Sequence, residues 1–200
     1  DEQDYDEGDD NEVSTGKVQK DQVSSQKEIS SETGTSTQTT HKETGFLMDP
    51  ATNDEIVLIE QEVIDATLPQ VFDLLFGEDN SFQLKYIEAL DGSKITPIVP
   101  HKHLSADEVT DANFKPHVRN DKLQRYYSYT KALNYAIGPK STTCKIIETI
   151  EEKDFDKGFN IVLKTLTPEV PSGSAFTVDT RYLAAWGPNN KTKIKISYRM

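Results

Sequence analysis

The sequence predicts an α+β fold, with one strand, two short helices and then a meander of five antiparallel strands. The clearest evidence is residues 176–186, where apolar and polar residues alternate as they do along a half-buried strand. Residues 191–200 repeat this alternation, and residues 187–190 form a Gly- and Pro-containing turn between the two runs. Consecutive strands after a block of helices are typical of α+β proteins rather than of parallel α/β proteins. We therefore expect a curved antiparallel sheet with one apolar face.

Charge and composition narrow the possible partners. The chain has 200 residues with 22 basic and 34 acidic side chains, a net charge of −12, which argues against nucleic acid as a partner. The single cysteine, Cys144, excludes an intrachain disulfide and favours a reducing compartment such as the cytosol. No segment resembles a signal peptide or approaches the roughly 20 apolar residues of a membrane span, so a soluble chain is expected.

Residues 1–45 are predicted to be a disordered acidic linker. They contain 12 acidic and 4 basic residues, a net charge of −8, and are rich in Ser, Thr and Gln. Such a segment has too little apolar surface to offset the entropy of ordering. A solvated spacer is the simpler interpretation, and a phosphorylatable or partner-binding linker is the alternative. The folded domain is expected to span residues 46–200.

The elements of that domain are predicted in order along the chain. Residues 55–66 form a strand with apolar residues on both faces, which predicts a place well inside the sheet. A helix follows between Thr67 as N-cap and Gly77 as C-cap, with Pro69 in its first turn. A second helix is predicted to follow Ser81 as N-cap and to stop at Gly92.

The rest of the chain is one irregular stretch followed by strands. Residues 94–117 contain three prolines and are predicted to be mostly loop, with Ile95, Ile98 and Val99 available to tuck under the sheet. Strands are then predicted at residues 122–132, 141–152 and 159–167, before the two C-terminal strands.

The apolar face of the sheet is the first candidate site. A curved sheet of this kind either packs solid or encloses a ligand, and both readings remain open. Tyrosine and tryptophan on that face would orient an amphiphile that carries one hydroxyl. The residues predicted to line a cavity are Cys144, Ile146, Ile161, Leu163, Phe176, Val178, Tyr182, Trp186, Ile194, Ile196 and Tyr198.

The loop at residues 133–140 is the second candidate. It has apolar side chains at its predicted tip, where polar residues are usual, so it is expected to touch a membrane or the mouth of a pocket. The alternative is a loop folded back on its own sheet. Lys140 and Lys131 could meet anionic headgroups. The predicted entrance loop comprises Leu133, Tyr135, Ala136, Ile137, Gly138, Pro139 and Lys140.

Catalytic and metal-binding patterns are weak. His101 and His103 with Asp107 or Glu108 have ligand chemistry, but a solvated loop is the better interpretation. Cys144 lies inside a strand pattern and is expected to be inert. The glutamates at positions 148, 151 and 152 are expected to be a solvated strand end, and no glycine-rich phosphate loop is present. The sequence predicts neither an enzyme nor a metal or cofactor site.

Three segments together resemble a known family. ATLPQVFDLLFG, LQRYYSYTKALNYAIGPKSTTC and TPEVPSGSAFTVDTRYLAAW follow one another as in the VASt domain, the StART-like module of the Lam and Aster sterol transporters. The resemblance covers residues 55–200. It implies a helix-grip fold, a bent antiparallel sheet around a long C-terminal helix, with a sterol such as ergosterol or cholesterol in the cavity between them.

The resemblance also implies a biological setting. Family members sit in the endoplasmic reticulum membrane at plasma membrane contacts, with this domain facing the cytosol, and transfer sterol passively. The loop at 133–140 would be the lid, an anionic membrane surface a partner, and the domain a monomer. Because the C-terminal helix would follow Met200, we expect a chain cropped at that end. Phe114 stands where relatives often have tryptophan. A protein-interaction module with a filled core is the rival hypothesis, and an enzyme of the same shape a distant third.

Overall fold

The computed structural model describes residues 39–200, and the prediction for residues 1–38 lies outside them. The described chain forms a seven-stranded antiparallel sheet in the order β1-β7-β6-β5-β4-β3-β2, with two helices between the first two strands. The strands are β1 (Ile56–Ile64), β2 (Gly92–Ser93), β3 (Leu123–Ala132), β4 (Ser141–Asp154), β5 (Gly158–Leu166), β6 (Val178–Trp186) and β7 (Thr192–Arg199). The helices are α1 (Leu68–Phe76) and α2 (Ser81–Ala89). The predicted α+β order and meander are confirmed.

The position of β1 differs from the prediction. β1 pairs only with β7 and forms one edge of the sheet, and most of its side chains are exposed, including Ile56 at 56% and Leu58 at 60%. The prediction that β1 lies well inside the sheet is therefore wrong. The local sequence pattern shows which residue types a strand carries, whereas the place of that strand in the sheet depends on which distant strands pair with it.

The opposite edge is covered by irregular chain. β2 pairs with β3, Thr96 N donates to the carbonyl of Ser128 at 2.9 Å, and Lys102 and Gln124 exchange backbone hydrogen bonds of 2.9 and 2.7 Å. Residues 92–102 thus run beside β3 and satisfy backbone groups that an open edge would expose. The prolines in this stretch explain why it does not form a regular strand.

Register assigns each side chain to one face of the sheet. Arg125 and Tyr127 on β3 lie opposite Glu148 and Ile146 on β4, and alternation continues across β5, β6 and β7. We call the face that carries these residues the inner face, because α1 and α2 pack on it. Cys144, Ile146 and Ile150 share this face as the sequence predicts.

The two helices close one end of the inner face. α1 begins after Thr67, whose backbone N–H donates to the Gln70 side chain at 2.9 Å, and it buries Phe72 and Phe76 against Phe159. Gly77 is the C-cap of α1, and the position requires glycine because any Cβ there would lie 2.3 Å from the carbonyl oxygen of Asp73. α2 packs more lightly, since Ile87 is its one buried residue. Asp91, with a φ of 61°, turns the chain after α2.

The outer face is covered by segments distant in sequence. Leu104, Val109 and Phe114 pack on Ile147 of β4 and Leu166 of β5, and Phe114 is fully buried. Ile95 and Ile98 instead pack beside α2 on the inner side, and Val99 is 40% exposed. The irregular stretch at 94–117 therefore contributes to two separate cores.

A segment assigned by sequence to the linker is bound to the sheet. Thr44 N donates to the carbonyl of Trp186 at 3.1 Å, and the Trp186 N–H donates to Thr44 Oγ1 at 3.0 Å. The His41 ring stacks on Trp186 with centroids 3.9 Å apart. Farther along, the Glu55 carboxylate accepts hydrogen bonds from Arg181 at 2.8 Å and Ser197 at 2.6 Å on the outer face. Contact with the sheet thus begins upstream of the predicted boundary at residue 46.

Candidate functional site

A cavity of about 350 Å³ lies between the two helices and the inner face of the sheet. Its volume is within the range of about 300–1,000 Å³ that small-molecule pockets span. Each lining residue is apolar, tyrosine or glutamine. They are Ile64, Leu75, Phe76, Phe82, Gln83, Tyr86, Ile87, Tyr127, Tyr129, Ile146, Leu163, Tyr182, Ile194 and Ile196.

One end of the inner face is filled and bounds the cavity. Phe159 meets Phe72 and Phe76 edge to face, with ring centroids 5.5 and 5.8 Å apart, and the Phe72 and Phe76 rings are tilted by 52° at 6.0 Å. Trp186 is 2% exposed in the same cluster and donates its indole N–H to the Phe155 carbonyl at 2.8 Å. This end is solid core, so the open volume lies toward the loops at the other end of the strands.

A polar cluster forms one wall of the cavity. The Gln83 amide donates to the Tyr127 hydroxyl at 2.8 Å and to Glu148 Oε2 at 3.4 Å. Its carbonyl oxygen accepts from Arg125 at 3.1 Å. Gln83 and Tyr127 face the cavity, while Arg125 and Glu148 lie behind them. We call these four residues the polar wall.

The burial of Glu148 corrects the prediction of a solvated strand end. Its side chain is fully buried, Arg125 is 1% exposed, and their closest nitrogen and oxygen are 2.9 Å apart. His101 Nε2 lies 2.8 Å from the same oxygen. Both contacts have ion-pair distances but poor hydrogen-bond alignment. The sequence analysis grouped Glu148 with the glutamates at the end of β4, but Glu148 faces inward, whereas Glu152 faces solvent.

Tyr127, Tyr129 and Tyr182 keep their hydroxyl protons at neutral pH. Burial raises the pKa of Tyr182 to about 12. Burial likewise raises the pKa of Tyr127 well above its usual value, and that of Tyr129 as well. Because Tyr127 accepts its hydrogen bond from Gln83, its own proton is available to a group in the cavity.

The structure places the predicted cavity residues in three groups. Those that line the cavity are Ile146, Leu163, Tyr182, Ile194 and Ile196. Ile161 and Trp186 lie in the filled core instead. Cys144 and Tyr198 lie on strands flanking the open end, Val178 begins β6, and Phe176 precedes it with 39% of its surface exposed. Ligand contact by any of them stays a prediction.

Alternation alone could not separate lining residues from core, because both share one face. It also missed the contributions of α1, α2 and β3. Tyr127 and Tyr129 are alternate residues of the segment YYSYT, so strand alternation could have placed both of them on one face. Gln83 carried no such signal, because a polar residue on a short, mostly exposed helix normally faces solvent.

The loop at 133–140 projects from the open end. It follows β3, whose last cavity-lining residue, Tyr129, lies four positions before Leu133, and its tip residue Ile137 is 94% exposed. Tyr135 is 47% exposed, and Gly138 has a φ of 113°, which favours glycine. The Lys140 ammonium donates to the carbonyl of Tyr135 at 2.6 Å. The tip therefore extends into solvent and does not fold back on the sheet.

Two residues of the weak metal pattern have partners within the domain. His101 contacts Glu148, and Glu108 pairs with Lys102. Burial raises the pKa of the Cys144 thiol, which disfavours the reactive thiolate. Neither helix in the described part of the chain is long and apolar enough to cross a membrane.

The curled antiparallel sheet, the two helices and the apolar cavity define a StART-like, helix-grip domain. A family model makes this specific, since the VAD1 Analog of StAR-related lipid transfer domain (VASt) matches residues 57–200. The chain belongs to the VASt family. Because this family is described by lipid transfer and not by catalysis, the prediction of a non-enzymatic domain is confirmed.

Two relatives extend the comparison. The chain is 35% identical over 159 residues to the membrane-anchored lipid-binding protein LAM5 of Saccharomyces cerevisiae, covering 79% of this chain and 22% of that protein. It is 31% identical over 137 residues to an uncharacterized membrane protein of Schizosaccharomyces pombe, covering 68% of this chain and 16% of that protein. The chain thus spans about a fifth of the length of these relatives.

Proposed function

We propose that this domain binds one sterol molecule in the cavity and transfers it passively between membranes at contacts of the endoplasmic reticulum with the plasma membrane. The observation that carries the proposal is the composition of the cavity lining, which is apolar except for tyrosines and Gln83. Such a lining suits a compact apolar molecule with one hydroxyl. It offers no cationic side chain to a phospholipid phosphate among the residues that line it. The name of the LAM5 relative, a membrane-anchored lipid-binding protein, supports the membrane setting.

The polar wall is the proposed partner of the sterol hydroxyl. An unpaired hydroxyl in an apolar cavity costs about 1–3 kcal/mol, so one buried partner is enough to orient the ligand. Tyr127 supplies a proton and Gln83 supplies a polar amide at the same wall. The rings would then lie along Ile146, Leu163 and Ile196.

The loop at 133–140 is the proposed lid and membrane contact. Ile137 is almost fully exposed, and an exposed aliphatic side chain at a loop tip gains free energy by entering the acyl boundary of a bilayer. Lys140 places a positive charge beside it, worth roughly 1 kcal/mol at an anionic surface. Exchange needs no covalent step, because the sterol leaves one apolar phase for another.

A liposome assay tests the proposal. Donor liposomes carry a fluorescent sterol, acceptor liposomes carry a quencher, and the transfer rate is measured with and without protein. Ile137→Asp is expected to slow transfer strongly while leaving the urea midpoint unchanged, because the side chain contacts solvent. Leu74→Asp is the matched control, since Leu74 is 49% exposed on α1 outside the cavity lining.

A second variant tests the cavity itself. Gln83→Leu is expected to weaken sterol binding about tenfold, the effect of losing one buried hydrogen-bonding partner. If the folded protein neither binds nor moves sterol, the carrier hypothesis fails, and a lipid-free interaction module becomes the better account. Equal losses for Ile137→Asp and Leu74→Asp would remove the special role of the loop.

A further inference from the structure

A second depression lies on the inner side of the sheet, away from the cavity opening. It has a volume of about 510 Å³ and runs between the end of α1 and the start of β3. Its apolar surface includes Phe72, Leu123 and Ile150, and its rim on the helical side carries Asp73, Glu78 and Asp79. We call this depression the acidic groove. We propose that it binds a basic peptide segment of a partner protein, with apolar side chains between its lysines or arginines.

Charge complementarity defines this partner. The three carboxylates of the rim are exposed, and none of them forms an ion pair within residues 39–200. Asp79 Oδ1 accepts one hydrogen bond, from the Ser81 backbone N–H at 3.0 Å. Lys153 is the one lysine that lines the groove, and its ammonium lies over the Phe72 ring at 4.6 Å. The groove therefore carries a net negative charge that a cationic partner would neutralise.

The apolar floor of the groove, formed by Leu123 and Ile150, favours a partner that has apolar side chains as well as positive charge. Leu123 is 39% exposed although it begins a sheet strand, and it lies beside Ile150 of β4. Covering these side chains would remove apolar surface from water. An extended peptide presents alternate side chains to opposite sides. A segment of alternating basic and apolar residues can therefore reach the rim and the floor together.

The groove is held open by contacts within the domain. Asn80 of the helical rim donates to the carbonyl of Ile98 at 2.8 Å, which joins the two walls. Arg125 donates to the carbonyl of Gly77 at 3.2 Å beneath the rim. His101 forms part of the far wall, with its side chain 8% exposed and fixed beside Glu148. A site that is already shaped loses little entropy when a partner binds.

The test is a titration of the full chain with a defined probe. The probe is an acetylated, amidated hexapeptide of alternating lysine and leucine, and binding is followed by amide shifts of the ¹⁵N-labelled protein and by fluorescence anisotropy. The proposal expects shifts concentrated at α1, the α1–α2 connection and the start of β3. A peptide with glutamate in place of lysine is expected not to bind, and one with serine in place of leucine is expected to bind more weakly.

Matched variants locate the site. Glu78→Lys reverses one rim charge and is expected to weaken binding about fivefold or more, as for a lost charge pair at a partly desolvated surface. Glu88→Lys on α2 makes the same change outside the groove and is expected to have little effect. Leu123→Thr removes apolar surface from the floor of the groove, keeps a residue with high strand propensity and is expected to weaken binding. If Leu123→Thr folds poorly, Glu78→Lys remains the test, because Glu78 is exposed.

Three results would overturn the proposal. Shifts confined to the acidic residues 1–45 would show that the peptide follows net charge alone. If Glu78→Lys and Glu88→Lys weaken peptide binding equally, the rim of the groove is not the binding site. If phosphatidylcholine vesicles shift the groove resonances and displace the peptide, the groove is a lipid contact and not a protein-docking site.

Discussion

Replacement of one member of the Arg125–Glu148 pair is expected to destabilise the domain severely. Both side chains are at most 1% exposed, and their nearest nitrogen and oxygen are 2.9 Å apart. Arg125→Met would leave the Glu148 carboxylate buried without its permanent countercharge, and Glu148→Leu would do the same to the guanidinium. Breaking a buried pair in this way costs about 3–5 kcal/mol, a large part of the about 5–15 kcal/mol that holds a typical domain folded.

The double variant is expected to recover most of that loss. Arg125→Met with Glu148→Leu leaves no unpaired charge within the pair, and the remaining cost is the hydrogen bonds of Arg125 to Gly77 and Gln83 and that of Gln83 to Glu148. At about 0.5–1.5 kcal/mol each, these three bonds predict a total of about 1.5–4.5 kcal/mol. The coupling free energy between the two sites should therefore be at least about 1.5 kcal/mol.

Urea unfolding followed by circular dichroism measures the four proteins of this cycle. Lys191→Ala with Asp65→Ala is the control cycle, because that pair is 3.3 Å apart but largely exposed and should couple by less than about 1 kcal/mol. If the Arg125 and Glu148 losses simply add, or if each single variant costs less than about 1 kcal/mol, the two charges are not energetically paired and the reasoning fails.

Three further outcomes are expected. Lys145 donates to Asp111 and holds the pKa of that carboxyl below its usual value. The pair therefore stabilises the domain fully above the unfolded pKa of about 3.9 and loses this effect as pH falls through the lower folded pKa; Asp111→Asn should be less stable than the parent at pH 6 and match it near pH 2, and a constant difference would contradict this. Phe114→Ala should cost about 3–5 kcal/mol in urea unfolding, because Phe114 is fully buried on the outer face. Glu55→Leu should cost about 3–5 kcal/mol because Arg181 loses its buried partner, and an unchanged urea midpoint would show that Glu55 is dispensable.

The boundaries of the elements followed closely from local chemistry. Thr67 and Gly77 bracket α1 as predicted, whereas α2 begins one residue early, with Asn80 and not Ser81 as its N-cap. The strands of the meander appear within a few residues of their predicted positions, because alternation and turn residues are properties of neighbouring positions. The exposed tip at Ile137 was also readable, since an apolar side chain beside Gly and Pro has no local partner.

The polar wall could not be predicted from local sequence. Gln83, Arg125 and Glu148 come from a helix and two strands, and the contact of His101 with Glu148 joins residues 47 positions apart. A charged residue in an alternating strand is normally assigned to solvent, because burying it alone is costly. Only a partner brought by the fold reverses that assignment.

By itself, the sequence determined that this chain forms an antiparallel meander with two capped helices, an apolar inner face and an apolar loop tip, because these follow from periodicity and turn chemistry. Only the tertiary structure decided that β1 is an edge, that Trp186 lies in filled core, and that Glu148 is buried. Each of these depends on which distant segments meet, and the free energy of burying a side chain is set by those neighbours and not by its position in the chain.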